Sequence, residues 1–403
     1  MKDIIELVEI FGNVQNVPDL MSKYILHYES CTKCDLTIIF YDKNYNNTHH
    51  NLGELFKNKH LTSFFPNGNL LFFNKDIIDN GGSFKNLKLD YTISFESNTA
   101  SYVNAYINND FHKIPKNFFK DINLIINNNY NIDIFYYLYE NFAKPSVNKD
   151  IFRTTVFNLK KLLTCDINHF KKTKKIESLF QDHEIIKKTD NLISTFENKE
   201  FINHIHKIHQ LMKIILLCTL IAKNKYQNKD MKYRYKYVLD FMHNKLNAIF
   251  QRELHIASYY FNNPLPFFDP SNNRNDFEKF IKNIDNMAWD YTLIRLFEYT
   301  STLLHSKEAP FHIPFLFSYD QKFLNMQELY TCKSIIYYKE NKYFHMNPIP
   351  INSLKEIFEK FQLAESYLTK DAILERKKKI NPSMDLTPIY DELKMEVKKR
   401  LFR

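Results

Sequence analysis

The sequence predicts an α/β protein whose sheet is completed from both ends of the chain. Two observations predict it. Short runs of β-branched and aromatic residues, bounded by Asn, Gly, Pro or Asp, cluster before residue 100 and after residue 310. Between about residues 99 and 305 the segments are long, free of glycine, and apolar at three- and four-residue spacing, which is the pattern of helices. Strands far apart in sequence with helices between them assemble as layers.

Taken in order, Leu36–Tyr41, Leu70–Phe73 and Tyr91–Phe95 predict N-terminal strands. Pro314–Ser318 and Ser334–Tyr338 predict C-terminal ones. The helical stretch breaks near Pro115, at Lys144-Pro145-Ser146, around Lys171–Lys175, and at Asn263-Pro264-Leu265-Pro266. Its longest apolar run, Ile214–Ala222, is bracketed by Lys213 and Lys223. A bilayer span needs about 20 residues, so this run predicts a core helix and no membrane association. Met1-Lys2-Asp3 carries an acid too early for a signal peptide, and a cytoplasmic protein is expected. Residues 1–142 and 281–345 are then the two halves of one α/β core. Residues 143–280 are a large helical insertion and 346–403 a helical, basic tail.

Composition excludes several function classes. The chain has 403 residues, of which only five are glycine, against roughly 28 for average usage. All five (Gly12, Gly53, Gly68, Gly81, Gly82) lie in the first 82 residues. Phosphate-cradling loops and the nucleophile elbow of hydrolases need glycine where the backbone turns sharply or approaches a ligand closely. A P-loop, a kinase loop, a dinucleotide fingerprint and a G-x-S-x-G hydrolase are therefore disfavoured. The five cysteines are an odd number and do not form a secreted disulfide framework. Cys31 and Cys34 form one C-x-x-C, which with His204, His206 and His209 offers a zinc site only if these residues converge. The formal net charge of +9 permits a polyanionic partner, with basic runs at Lys171–Lys175, Arg376–Lys379 and Lys398–Arg400.

The chemistry lies in acids placed where strands end. Tyr91–Phe95 runs directly into Glu96-Ser97-Asn98. Pro314–Phe317 runs into Ser318-Tyr319-Asp320. Asp290 follows the only tryptophan, Trp289, and opens an apolar run expected to be helical. A fourth acid is either Glu140 or Glu253. In open parallel sheets, functional groups gather beyond the carboxyl ends of the strands. Clustered carboxylates repel and raise one another's pKa, and the natural relief is a hard cation, Mg²⁺ or Mn²⁺, with oxygen ligands. Such an ion activates a bound water and clamps a phosphodiester. The bland alternative is that each acid caps a helix or closes a turn. Asn98 and Ser318 are supporting candidates that either orient the metal ligands or only end their elements.

These pieces resemble the PIN-like nuclease superfamily over roughly residues 88–142 and 280–340. Glu96-Ser97-Asn98 is similar to its strand-ending Asp-x-Asn. Asp290-Tyr-Thr-Leu-Ile resembles its Asp at the head of an apolar helix, and Ser318-Tyr-Asp320-Gln-Lys-Phe323 its Thr/Ser-x-Asp-x-x-Phe. The resemblance implies a three-layer α/β/α core with a mostly parallel sheet, and divalent-metal-dependent cleavage of nucleic acid, usually RNA. It also implies kinship with toxin and phage-defence proteins. Glu96, Asp290 and Asp320 are then metal ligands and catalytic residues, with Glu140 or Glu253 completing the set. The insertion is a candidate surface for a protein partner or a homo-oligomer. Position 96 is Glu where the family usually has Asp. The alternative reading is accordingly a non-catalytic helical interaction protein on a degenerate PIN-like scaffold.

Overall fold

A computed structural model describes residues 2–44, 50–81, 89–143, 148–197, 199–262, 276–304, 309–340, 343–350, 355–379, 381 and 383–402. The breaks expected at Lys144-Pro145-Ser146 and Asn263–Pro266, and Gly82, lie outside these residues. The chain divides into two compact units, Met1–Ile202 with Arg295–Ile351, and Asn203–Ile294 with Asn352–Arg403.

The first unit is mixed α/β and holds eight described strands. They are β1 (Thr37–Tyr41), β2 (Leu61–Ser63), β3 (Leu70–Phe73), β4 (Leu89–Phe95), β5 (Ile132–Asp133), β6 (Phe311–Phe317), β7 (Cys332–Glu340) and β8 (Tyr343–Pro350). The chain ends do meet in a sheet, but in two sheets and not one. The order β3-β1-β7-β8 is antiparallel throughout. The order β2-β6-β4-β5 is parallel between β6, β4 and β5 and antiparallel only at β2. The mostly parallel sheet that was expected is thus the second of these alone. Every residue of β6 is buried, as befits a parallel strand covered on both faces.

Aromatic rings account for much of the packing. Phe72 of β3 meets Phe311 of β6 edge-on, with centroids 5.1 Å apart. Phe118, in the helix Phe118–Asn127, stacks on Phe317 at 6.0 Å. Tyr136, in the helix Phe135–Ala143, lies edge-on to Phe297 and bonds the Thr300 hydroxyl at 2.6 Å. The antiparallel sheet closes on the N-terminal helices, where buried Tyr24 donates its phenol to the Leu36 carbonyl at 3.0 Å.

A chain so short of glycine needs other residues where helices end in the left-handed region. Asn109, Asn129 and Lys174 adopt φ of 60°, 50° and 60° just beyond the helices Ser97–Ile107, Phe118–Asn127 and Ile167–Thr173. Asparagine tolerates this geometry better than most residues, so part of its abundance is structural.

Among its described residues the second unit is helical. Its longest helix lies within Lys199–Lys225 and contains the predicted run Ile214–Ala222. By length and composition Ile202–Lys225 is apolar enough to cross a membrane (mean hydropathy 1.4), yet 67% of its most apolar stretch is buried in the fold. Trp289 is buried against His209, with ring centroids 4.1 Å apart, which is a core role. The basic run Arg376–Lys379 is not uniformly solvated. Arg376 turns inward and donates to the Tyr367 carbonyl at 2.7 Å.

Candidate functional site

The parallel register of β4 and β6 sets the site's level. Phe95 is opposite Phe317, so Glu96 and Ser318 leave the sheet side by side at the carboxyl ends of two neighbouring strands. The Thr99 hydroxyl ties the two exits together by reaching the carbonyls of Glu96 (2.9 Å) and Phe317 (3.0 Å). The Ser318 hydroxyl donates to Glu96 Oε1 at 2.7 Å, and the Tyr319 amide reaches the same oxygen at 3.3 Å. The Asp320 amide in turn donates to Ser318 Oγ at 3.0 Å.

Glu96 is 5% exposed. Burial, and then the negative charges of Glu140 and Asp320, push its carboxyl up to about 7 against the opposing bonds from Ser318 and Tyr319. Tyr102 lies in the same negative field, and burial together with Glu96 and Asp320 raises its phenol. Glu140, on the helix Phe135–Ala143, accepts a short hydrogen bond from the Ser97 hydroxyl. Asn141 holds that serine through a 2.9 Å bond to its Oγ. Asp320 accepts the amides of Lys322 (2.8 Å) and Phe323 (3.3 Å) and so caps the short helix Gln321–Leu324.

Glu96, Glu140, Asp320 and Ser318 thus belong to one neighbourhood of the first unit. The other two predicted acids belong to the second unit. Asp290 does not open a helix. It sits half-buried in the interior of the helix Phe277–Leu304. Glu253 is buried in the first turn of the helix Gln251–Asn262. Asn98 is exposed, and its side chain makes no hydrogen bond among the described residues, so it does not cap the helix behind Glu96. For the zinc alternative, no cluster of three or more ligands is found among the described residues. Cys31 and Cys34 are buried thiols of the first unit, pushed up to about 12 and about 11 chiefly by burial. On the helix of the second unit His209 turns inward while His204 and His206 face outward.

Among the described residues no three His, Cys, Asp or Glu side chains are gathered closely enough to cage a metal. The donors are nevertheless hard oxygens, and Mg²⁺ is commonly held by one or two carboxylates, with water and substrate phosphate filling the remaining positions. On that chemistry Glu96 and Asp320 fit the ion.

Two further buried acids escaped the sequence reading. Asp133 ends β5 and accepts from the Ser94 hydroxyl (2.5 Å) and the Phe135 amide (3.0 Å), and burial pushes it up to about 6. Asp121 lies on the buried face of its helix with Phe118, Ile122 and Ile125. An acid in an apolar stripe was the available signal. In comparisons with protein-family models, curated proteins and solved structures, the chain matches none.

Proposed function

We propose that the first unit is the core of a divalent-metal-dependent nuclease of PIN-like type, with the helices around the β4–β6 sheet forming its outer layers, and that it hydrolyses RNA. The observation that carries this reading is Glu96 and Asp320 just beyond the carboxyl ends of the paired parallel strands β4 and β6, with Glu140 of the helix Phe135–Ala143 bonded to Ser97 beside them. Glu96 is buried in their negative field, and neither Glu96 nor Asp320 has an ion-pair partner among the described residues. Mg²⁺ or Mn²⁺ held by Glu96 and Asp320 would supply Lewis acidity and a water of lowered pKa. Ser318 and the Tyr319 amide fix the Glu96 carboxylate, Ser97 fixes Glu140, and burial keeps bulk water from the Glu96 oxygens.

Asp320→Asn tests the reading cleanly. Asparagine caps helices as well as aspartate does, so folding is retained while a charged ligand is lost. Cleavage of RNA in Mn²⁺ should fall by about a hundredfold or more. Undiminished cleavage by the purified variant would refute the assignment. A second reading, a non-catalytic interaction protein on this scaffold, is favoured by glutamate at position 96 and by the lack of a three-residue cage among the described residues. Calorimetry separates the two, because that reading requires no Mn²⁺ binding that depends on Asp320.

A further inference from the structure

A second constellation lies one residue away from the strand-end acids. Tyr319, whose amide donates to Glu96, sends its phenol to Asp121 Oδ2 in a short hydrogen bond. The same carboxylate accepts from His60 Nδ1 at 2.6 Å and, through Oδ1, from Asn58 Nδ2 at 2.9 Å. The His60 ring stacks on the Tyr319 ring, with centroids 4.0 Å apart and planes 19° from parallel. Asp121 therefore holds Nδ1 as the protonated nitrogen, and the stack fixes the plane of the ring. His60 Nε2 has no hydrogen-bond partner among the described residues and is not sealed off from solvent.

His60 and Asp121 line a half-open cleft of about 560 Å³, a volume in the range of small-ligand sites. Its rim carries Lys57, Lys59 and Lys120, all exposed. Lys57 is engaged with Glu54 at 3.2 Å, while Lys59 and Lys120 form no ion pair among the described residues. Asn127 also lines the cleft, and its Oδ1 is buried without a hydrogen-bond partner. Asp121 already accepts from three donors, and neither of these lysines is paired with it. They face open space beside a histidine whose free nitrogen is held in place.

We propose that this cleft binds a backbone phosphate of single-stranded RNA, gripped by His60 Nε2, Lys59 and Lys120, and guides the strand past Tyr319 toward Glu96 and Asp320. The inference rests on the nucleic-acid reading above, but not on metal-dependent cleavage. With Nδ1 donating to Asp121, Nε2 can donate to a phosphate oxygen only in the imidazolium form, in which that bond is charge-assisted, and each lysine adds a salt-sensitive contact.

The test uses the full chain in EDTA with a labelled oligouridylate of roughly twelve nucleotides, followed by fluorescence anisotropy across a salt series. Lys59→Gln with Lys120→Gln should flatten the slope of log affinity against log salt by about 1.4, at about 0.7 per single-strand contact. His60→Gln should weaken binding about tenfold. Both lysines are exposed, so the double variant keeps the fold, and its unchanged circular dichroism melt confirms this. No binding by the wild type, or an equal slope and affinity in the double variant, overturns the proposal. So does competition by inorganic phosphate at the same concentration per phosphate as RNA, which would mark a small-anion site. Because EDTA removes cleavage from the measurement, loss of binding here and loss of cleavage in Asp320→Asn fail independently.

Discussion

Replacing Glu96 by glutamine makes the electrostatics of the strand-end site measurable. In the native protein the Glu96 carboxyl titrates at about 7, against an ordinary 4.5, chiefly because it is buried. Between those two values the folded state binds a proton that the unfolded state does not. Stability therefore decreases as pH rises from about 4.5 to about 7, and the lost contribution is fully present only below 4.5. A difference of roughly 2.5 units at about 1.4 kcal/mol each gives about 3–4 kcal/mol. The glutamine side chain would keep an oxygen for the Ser318 hydroxyl and carry no charge. The variant should thus be more stable than the wild type by up to about 3–4 kcal/mol at pH 8, with the gain vanishing near pH 4.5. The only tryptophan belongs to the second unit, so a fluorescence melt does not single out the first unit. Hydrogen exchange followed by mass spectrometry on peptides covering β4 and β6 does. A difference between Glu96→Gln and wild type that is independent of pH, or a destabilisation at pH 8, would overturn this electrostatic account.

Other outcomes follow from neighbouring groups. Ser318→Ala removes the 2.7 Å donor to a buried carboxyl, so exchange in β6 should report a loss of about 1–3 kcal/mol. Asp320→Ala deletes the cap on the Lys322 and Phe323 amides and should cost about 1 kcal/mol in a denaturant titration, whereas Asp320→Asn should cost little. His312 is buried, donates or accepts one bond with Thr92 at 3.0 Å, and is held down to about 4. As pH falls from 6.5 toward 4 the unfolded chain gains a proton that the folded chain refuses, so about 3–4 kcal/mol of stability is lost over that window. His312→Gln should flatten that acid limb in pH-dependent exchange at β6.

Five strands were legible because each is a short run rich in aromatic, β-branched or other apolar residues with polar boundaries. Three were not. β2 and β5 have three and two residues, too few to show a period. β8 contains Pro348 and Pro350, which argue against a central strand, but β8 is the edge of its sheet, where a missing N–H is tolerated. The division into two sheets was not legible, because strand-like runs do not announce their partners. Asp290 was misread for a physical reason that the sequence did contain. Aspartate before an apolar run looks like a helix start. Yet Phe280, Ile284, Met287 and Tyr291 continue one buried stripe through it at four-, three- and four-residue steps.

The site divides in the same way. Glu96, Ser318 and Asp320 could be found because a strand points its last residues at a predictable place. Asp121 and His60 meet across sixty residues of chain, and only the fold joins them. What Glu96 opposes speaks most strongly for function. A glutamine there would keep the Ser318 bond and remove a folding penalty of about 3–4 kcal/mol. The fold surrounds this carboxylate with hydroxyl and amide donors and two further acids, and with no lysine or arginine paired to it among the described residues. Under the proposed nuclease function, chemistry and not stability sets such acids. A hard cation arriving with its waters would turn the repulsion among these acids into binding energy, and this is why the buried acid at the end of β4 and its neighbour at position 320 are the residues to test first.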